Sequence, residues 1–261
     1  MNTILLLPTV LGWIAGLFIN YVSDVLPLTR RFSQPACTQC GNTFAWAEYL
    51  ALRACRQCGR KRSLRTWLVQ ILSVAFFVYF WLVPSRALGF PLGTIVLIYF
   101  GIITVIDLEH RLILHPTSLV GAVLGLIIGT YIYSRKYGLL GGAGWSLLGG
   151  LIGFGIMFLL YKFGTLVARY RARKMQAAGQ ADDDEEALGG GDVYLAGVLG
   201  LMLGLPIISA LMYGVLLGGL ISILFIVALL VRRRYTNEAL MTFIPYGPYF
   251  IIGASIILFR P

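Results

Sequence analysis

Phe90-Pro-Leu-Gly-Thr-Ile-Val-Leu-Ile-Tyr-Phe-Gly-Ile-Ile-Thr-Val-Ile106 carries no charge over 17 residues, and Asp107-Leu-Glu-His110 follows it directly. A run of this length crosses the roughly 30 Å hydrocarbon layer of a bilayer as an α-helix. The pattern recurs along the chain. Apolar segments at 3–22, 66–83, 90–106, 117–133, 145–167, 192–204, 207–231 and 241–259 predict an all-α, polytopic integral membrane protein with about eight transmembrane helices. Of the 261 residues, 12% are charged, about half the usual share in soluble domains, which excludes a soluble globular fold.

Residues 3–22 lack a basic leading region and a small-residue cleavage site, so they read as a retained helix and not as a signal peptide. The formal net charge of +10 comes from basic residues that flank apolar segments. Membrane orientation and contact with anionic membrane lipids explain that placement, and no nucleic-acid partner is expected. If Arg30, Arg31, Arg53, Arg56, Arg60, Lys61, Arg62 and Arg65 are cytoplasmic, alternation puts Arg111, the 169–174 cluster and Arg232 to Arg234 on the same side and both termini outside. The sixth segment is short and rich in glycine, and Pro206 separates it from the seventh. The pair reads either as a tight hairpin or as a broken segment covered by protein. Residues 168–191 are polar and read as a flexible loop, whose acidic run Asp182 to Glu186 is either solvated or attracts a basic peptide. Gly149, Gly150, Gly153 and Gly155, with Gly214, Gly218 and Gly219, suit close helix packing.

All four cysteines lie in the hydrophilic insertion 28–65, as Cys37-Thr-Gln-Cys40 and Cys55-Arg-Gln-Cys58. Two C-x-x-C pairs at this spacing match zinc ribbons, in which four thiolates close a tetrahedral structural site. The alternative is two disulfides or free thiols, which a reducing cytoplasmic loop disfavours. An insertion this short has little apolar surface, so bound Zn2+ would supply much of its folding energy.

Two acids have no easy surface reading. Asp107 ends the third apolar segment, and Asp192 opens the sixth after Gly189, Gly190 and Gly191. Carboxylates in or beside a bilayer are costly and point to function. Two that meet can share a proton, activate water and protonate a leaving amine, which is aspartyl protease chemistry. The glycines permit close backbone approach and unusual conformations. The competing reading makes Asp192 a helix cap favoured by the dipole. Asp24 also ends an apolar segment, and its sequence surroundings point to no chemistry. Glu48 reads as a surface acid, Glu109 as an interfacial anchor or local ion pair, and His110 and His115 either as solvated loop residues or as groups that tune the charge of Asp107 or touch substrate.

Taken in order, these landmarks resemble the type IV prepilin peptidases, intramembrane aspartyl proteases of the G-x-G-D type. Gly16-Leu-Phe-Ile-Asn20-Tyr-Val-Ser-Asp-Val-Leu-Pro27 is similar to the family's opening motif, and the paired C-x-x-C motifs and Arg62-Ser-Leu-Arg65 follow. Ile106-Asp107 and Gly189-Gly190-Gly191-Asp192 look like its two catalytic aspartate motifs, and Ile244-Pro-Tyr-Gly-Pro248 resembles its I-P-F-G-P segment. The resemblance implies cleavage of the basic leader from prepilins and pseudopilins of type IV pilus or type II secretion systems. It also implies an active site at the cytoplasmic face of the bacterial inner membrane. In many members methylation of the new N-terminus with S-adenosylmethionine follows.

On this reading residues 1–65 form the first helix and the methylation-associated zinc loop, and residues 66–261 form the peptidase domain. Leu17, Val25, Gln70 and Tyr194 depart from the family pattern, and Pro116 comes nine residues after Asp107 where seven is usual. The alternatives are a peptidase without methylation and a membrane scaffold or transporter, although a transporter's acids belong near the bilayer midplane. The sequence leaves the oligomeric state unknown.

Overall fold

A computed structural model of the protein describes residues 5–177, 189–231 and 245–260. These residues are helical with no strands, and five helices are long and apolar enough to cross a membrane: Leu6–Thr29, Leu64–Leu82, Gly89–His110, His115–Tyr170 and Ile207–Ala228. The chain divides into two compact units, one of Met1–His110 with Phe259–Pro261 and one of Arg111–Leu258.

The first unit holds α1 (Leu6–Thr29), α2 (Trp46–Leu50), α3 (Leu64–Leu82) and α4 (Gly89–His110). Along α1, Gly12, Ala15, Gly16, Ile19 and Asn20 are buried, while Leu7, Val10, Ile14 and Phe18 are exposed. Helix association in lipid has this form, with small or polar residues at the contact and large apolar ones facing the acyl chains. A Cβ on Gly12 would lie 2.8 Å from Val74 Cα of α3, and one on Gly101 of α4 would lie 2.8 Å from Ile19 Cδ1. The helix α1 runs seven residues beyond the expected Val22, because Asp24 on that extension finds partners inside the unit. Arg30, at φ 54°, then ends it by bonding Leu26 O at 2.9 Å.

The second unit holds α5 (His115–Ala177), α6 (Gly190–Leu203), α7 (Ile207–Val231) and α8 (Gly247–Leu258). Gly138 breaks α5 with φ 71° and ψ 174°, a conformation that glycine adopts without steric cost. The two arms fold back on each other. A Cβ on Gly142 would lie 2.7 Å from Thr130 O, and Trp145 packs on Tyr133 and Tyr137 at centroid distances of 6.4 and 5.4 Å. The expected segments 117–133 and 145–167 therefore occupy separate arms. The second arm continues as helix to Ala177, which corrects the loop expected from residue 168. Its Arg-Ala-Arg-Lys-Met-Gln-Ala ending consists of good helix formers, and these sustain the helix past its apolar part. The acidic run 182–186 lies outside the described residues.

Both arms pack against α6. A Cβ on Gly125 would lie 3.0 Å from Val198 O and one on Gly150 2.7 Å from Leu201 Cδ2, while Gly149 and Gly153 meet the carbonyls of Gly200 and Ala196 more closely still. Gly155 and Gly219 face open space and have no such role. The expected sixth segment is an unbroken helix of 14 residues. At 1.5 Å per residue it is about 21 Å long, too short for the hydrocarbon layer, so its terminal carbonyls need partners other than water. Tyr133 OH donates to Leu203 O at 2.5 Å and Ser146 Oγ to Leu201 O at 2.7 Å. Gly204, at φ 65°, then turns the chain through Leu205 and Pro206 into α7.

Candidate active site and metal centre

The two cysteine pairs form matching knuckles. Gly41 N–H bonds Cys37 O at 2.9 Å and Gly59 N–H bonds Cys55 O at 2.9 Å, and these glycines have φ of 72° and 69°, a left-handed turn that a side chain would strain. Cys37 and Cys58 approach to 3.6 Å between Sγ atoms, as do Cys40 and Cys55, and all four Sγ atoms lie within 4.8 Å of one another. A tetrahedral ion with Zn–S bonds of about 2.3 Å requires S···S edges of about 3.8 Å, so this donor set fits a metal such as zinc. The four cysteines are free thiols in this structure, Cys37 and Cys55 buried and Cys40 and Cys58 exposed. The backbone N–H of Cys40, then that of Gln39, holds the Cys37 thiol down at about 6 and favours the thiolate a metal needs.

The ribbon is built around this site. Cys37, Phe44, Tyr49 and Cys55 form a buried cluster against which Tyr21 of α1 packs. The Arg62 guanidinium lies 4.3 Å from the centroids of both Phe44 and Tyr49, a cation–π sandwich. Glu48, expected at the surface, is buried and pairs with Arg56, which sits between the ligands of the second knuckle.

Asp107 stands in the last turn of α4 and is 4% exposed. Asp192 stands half-buried in the first turn of α6, its N–H bonding Gly189 O at 3.1 Å. The first acid belongs to one unit and the second to the other. None of Gly189, Gly190 and Gly191 has a positive φ, so unusual conformation does not explain them. Gly191 is needed for space: a Cβ there would lie 2.9 Å from Ile113 Cβ. A groove of about 770 Å³ runs between α6 and the arms of α5, with apolar walls that include Leu119, Leu151, Phe154 and Val198. Tyr194, two residues after Asp192, lines it with His115, their rings 5.8 Å apart.

Sequence reasoning missed a polar cluster in the first unit. Arg65 pairs with Asp24 of α1 and, through Nε at 2.9 Å, with Glu109 of α4, and its Nη1 donates to Asn20 Oδ1 at 3.1 Å. Tyr49 OH donates to the other Asp24 oxygen at 2.5 Å. Burial and then the Asp24 carboxylate push the Tyr49 phenol well above its ordinary value. Asp24 is therefore engaged on both oxygens, and Arg65 is committed inside the protein and not to lipid. The available signal was an acid and a base at the ends of adjacent apolar segments, because an acid at a bilayer edge needs a cation.

Residues 93–231, just over half of the chain, match the type IV leader peptidase family, and residues 10–83 match the bacterial peptidase A24 N-terminal domain. The chain belongs to the type IV leader peptidase family. Both aspartates of this leader peptidase family member lie in the first match, and all four cysteines, Asp24 and Arg65 lie in the second. A prepilin leader peptidase/N-methyltransferase of Myxococcus xanthus is 30% identical over 241 residues, which cover 84% of this chain and 62% of that relative. Proteins of the same description from Vibrio cholerae and Pseudomonas putida are 27% and 25% identical, over 98% and 96% of this chain and 96% and 88% of their own lengths. No solved structure matches the chain.

Proposed function

We propose that this protein is a prepilin leader peptidase of the bacterial inner membrane. It has about eight membrane segments, the short α6 among them held inside the protein, cuts prepilin-type substrates at the cytoplasmic face, and uses Asp107 and Asp192 as its catalytic pair. Residues 66–261 are the peptidase part, and residues 1–65 carry the methylation-associated region with a structural Zn2+ on Cys37, Cys40, Cys55 and Cys58. One observation carries the reading. Both acids fall within the leader peptidase match, each in the terminal turn of an apolar helix. The apolar groove that Tyr194 lines suits the hydrophobic helix that follows a prepilin leader.

Asp192 stands in the first turn of α6 and Asp107 in the last turn of α4. The cycle is written with Asp192 as the starting base and Asp107 as the starting acid, and it balances equally with the two exchanged. Asp192 takes a proton from water, the hydroxyl adds to the scissile carbonyl carbon, and Asp107 protonates the carbonyl oxygen. As the C–N bond breaks, Asp192 returns its proton to the leaving amine and the diol returns one to Asp107, which leaves both acids as they began. Cys37, Cys40, Cys55 and Cys58 would hold the ion with four thiolates, a structural role that leaves the hydrolysis to the two aspartates.

Methylation with S-adenosylmethionine after cleavage is proposed from the relatives' description. No residue is assigned to the methyl donor. Gln70 is fully buried, its Nε2 bonding Trp13 O at 2.6 Å and its Oε1 facing Asn20. The departures of Leu17, Val25 and Gln70 from the family pattern keep a second reading in which the chain cleaves without methylating, and intact-mass analysis of the mature N-terminus separates the two. Cleavage of a prepilin by purified Asp107→Asn and Asp192→Asn, each with normal zinc content, tests the main reading. Each variant is expected to lose at least about a thousandfold in rate, and substantial cleavage by either rejects the pair.

A further inference from the structure

We propose that Arg65 is a positioning residue that couples the cysteine ribbon to the end of α4 carrying Asp107. The argument starts from Glu109. An acid in the last turn of a helix faces the negative end of the dipole and is disfavoured there unless a cation accompanies it. Arg65 Nε supplies that cation from the first turn of α3. Its remaining edges are also committed, Nη1 to Asn20 and Nη2 to Asp24. One guanidinium thus joins the ends of α1 and α4 to the start of α3, with hydrogen bonds from Nη1 and Nη2 to α1 and an ion pair to Glu109 that Nε approaches without a hydrogen bond, a spread of contacts that the single ammonium of lysine does not reproduce.

The same clamp receives the ribbon. Asp24 uses its other oxygen for Tyr49 OH, and Tyr49, 2% exposed, packs with Cys37 and Cys55 in the ribbon's core. A contact path therefore runs from the metal ligands through Tyr49, Asp24 and Arg65 to Glu109, two residues beyond Asp107. A ribbon that loses its metal loses the packing that fixes Tyr49, and with it one of the two supports of Asp24. The clamp then loosens and the last turn of α4 frays.

The consequence for turnover rests on the reading of Asp107 as catalytic, whereas the mechanical coupling does not. The experiment therefore reads hydrogen exchange by mass spectrometry in the 103–111 peptide of the full chain in detergent. It compares zinc-loaded protein, the same protein after chelation, Arg65→Lys, Glu109→Gln and Tyr49→Phe. Exchange in this peptide is expected to rise by roughly three- to tenfold after chelation and in each variant, with a peptide from α7 unchanged. For zinc-loaded Arg65→Lys and Glu109→Gln, kcat for prepilin cleavage is expected to fall about tenfold with KM unchanged, as a displaced catalytic group requires. Unchanged exchange after chelation, or in both Arg65→Lys and Glu109→Gln, overturns the coupling. Faster exchange with an unchanged kcat overturns the positioning role. If Asp107→Asn still cleaves, the catalytic reading fails and the exchange measurement still decides the coupling. Glu109 is exposed enough that its Gln variant keeps the test open should Arg65→Lys fail to fold.

Discussion

The helix ends that bear Asp107 and Asp192 are held by different physics. Around Asp107 the work is done by charge. Asp24, Arg65 and Glu109 form a chain of ion pairs that meets the cysteine ribbon through Tyr49. The helix that bears Asp192 is held by shape, because glycines on both arms of α5 let its backbone approach closely and two hydroxyls close its far end. A charged clamp responds to salt, metal and side-chain geometry. A glycine seam responds to volume, and one added methyl group is enough to disturb it.

Metal removal gives the largest separation between the two regions. Structural zinc contributes on the order of 10 kcal/mol to small sites of this kind, and the ribbon's described core is a few side chains around the four thiols. Chelation should therefore unfold the ribbon and speed trypsin cleavage at Arg53, Arg56, Arg60 and Lys61, which are already at the surface but lie on a folded backbone, while the second unit keeps its helical signal and its own cleavage rate. Equal loss of both regions would mean that the ribbon supports far more than the first unit. Volume gives the converse test. In Gly153→Ala the new Cβ would strike Ala196 O, a backbone atom that cannot rotate away. The expected cost is about 1–3 kcal/mol, seen as a lower midpoint of thermal unfolding in detergent, with zinc retention unchanged.

What was legible in the sequence follows the same division. Zinc-type ligands carry their geometry in local spacing, so the knuckles at Cys37–Cys40 and Cys55–Cys58 could be read directly. Uncharged runs mark membrane helices, and the positions of Asp107 and Asp192 at their ends follow from that alone. The Asp24–Arg65–Glu109 cluster joins residues more than 40 positions apart. Its members looked individually like a boundary acid, a topology-setting arginine and an interfacial anchor. Only the packing of α1, α3 and α4 brings them together. Gly138 is one of several glycines and carries no local mark as the hinge of α5. The glycines before Asp192 were noticed for conformational freedom, yet the feature that decides at Gly191 is the nearness of Ile113, which composition cannot show.

The smallest effect tests the hydroxyls at the end of α6. Ser146→Ala removes the donor to Leu201 O while keeping a small residue beside Gly129. Interhelical hydrogen bonds in membrane proteins average about 0.6 kcal/mol, and a loss of that order is expected here. Tyr133→Phe should cost more, about 1–2 kcal/mol, because Leu203 is the last residue of the helix and the Tyr133 ring also covers Gly204. If α6 is held mainly by shape, each of the two substitutions should destabilise the fold in detergent by less than Gly153→Ala does. If either exceeds it, the hydroxyl caps and not the glycine seam fix the helix, and the contrast with the charged clamp narrows to a difference between two kinds of polar contact.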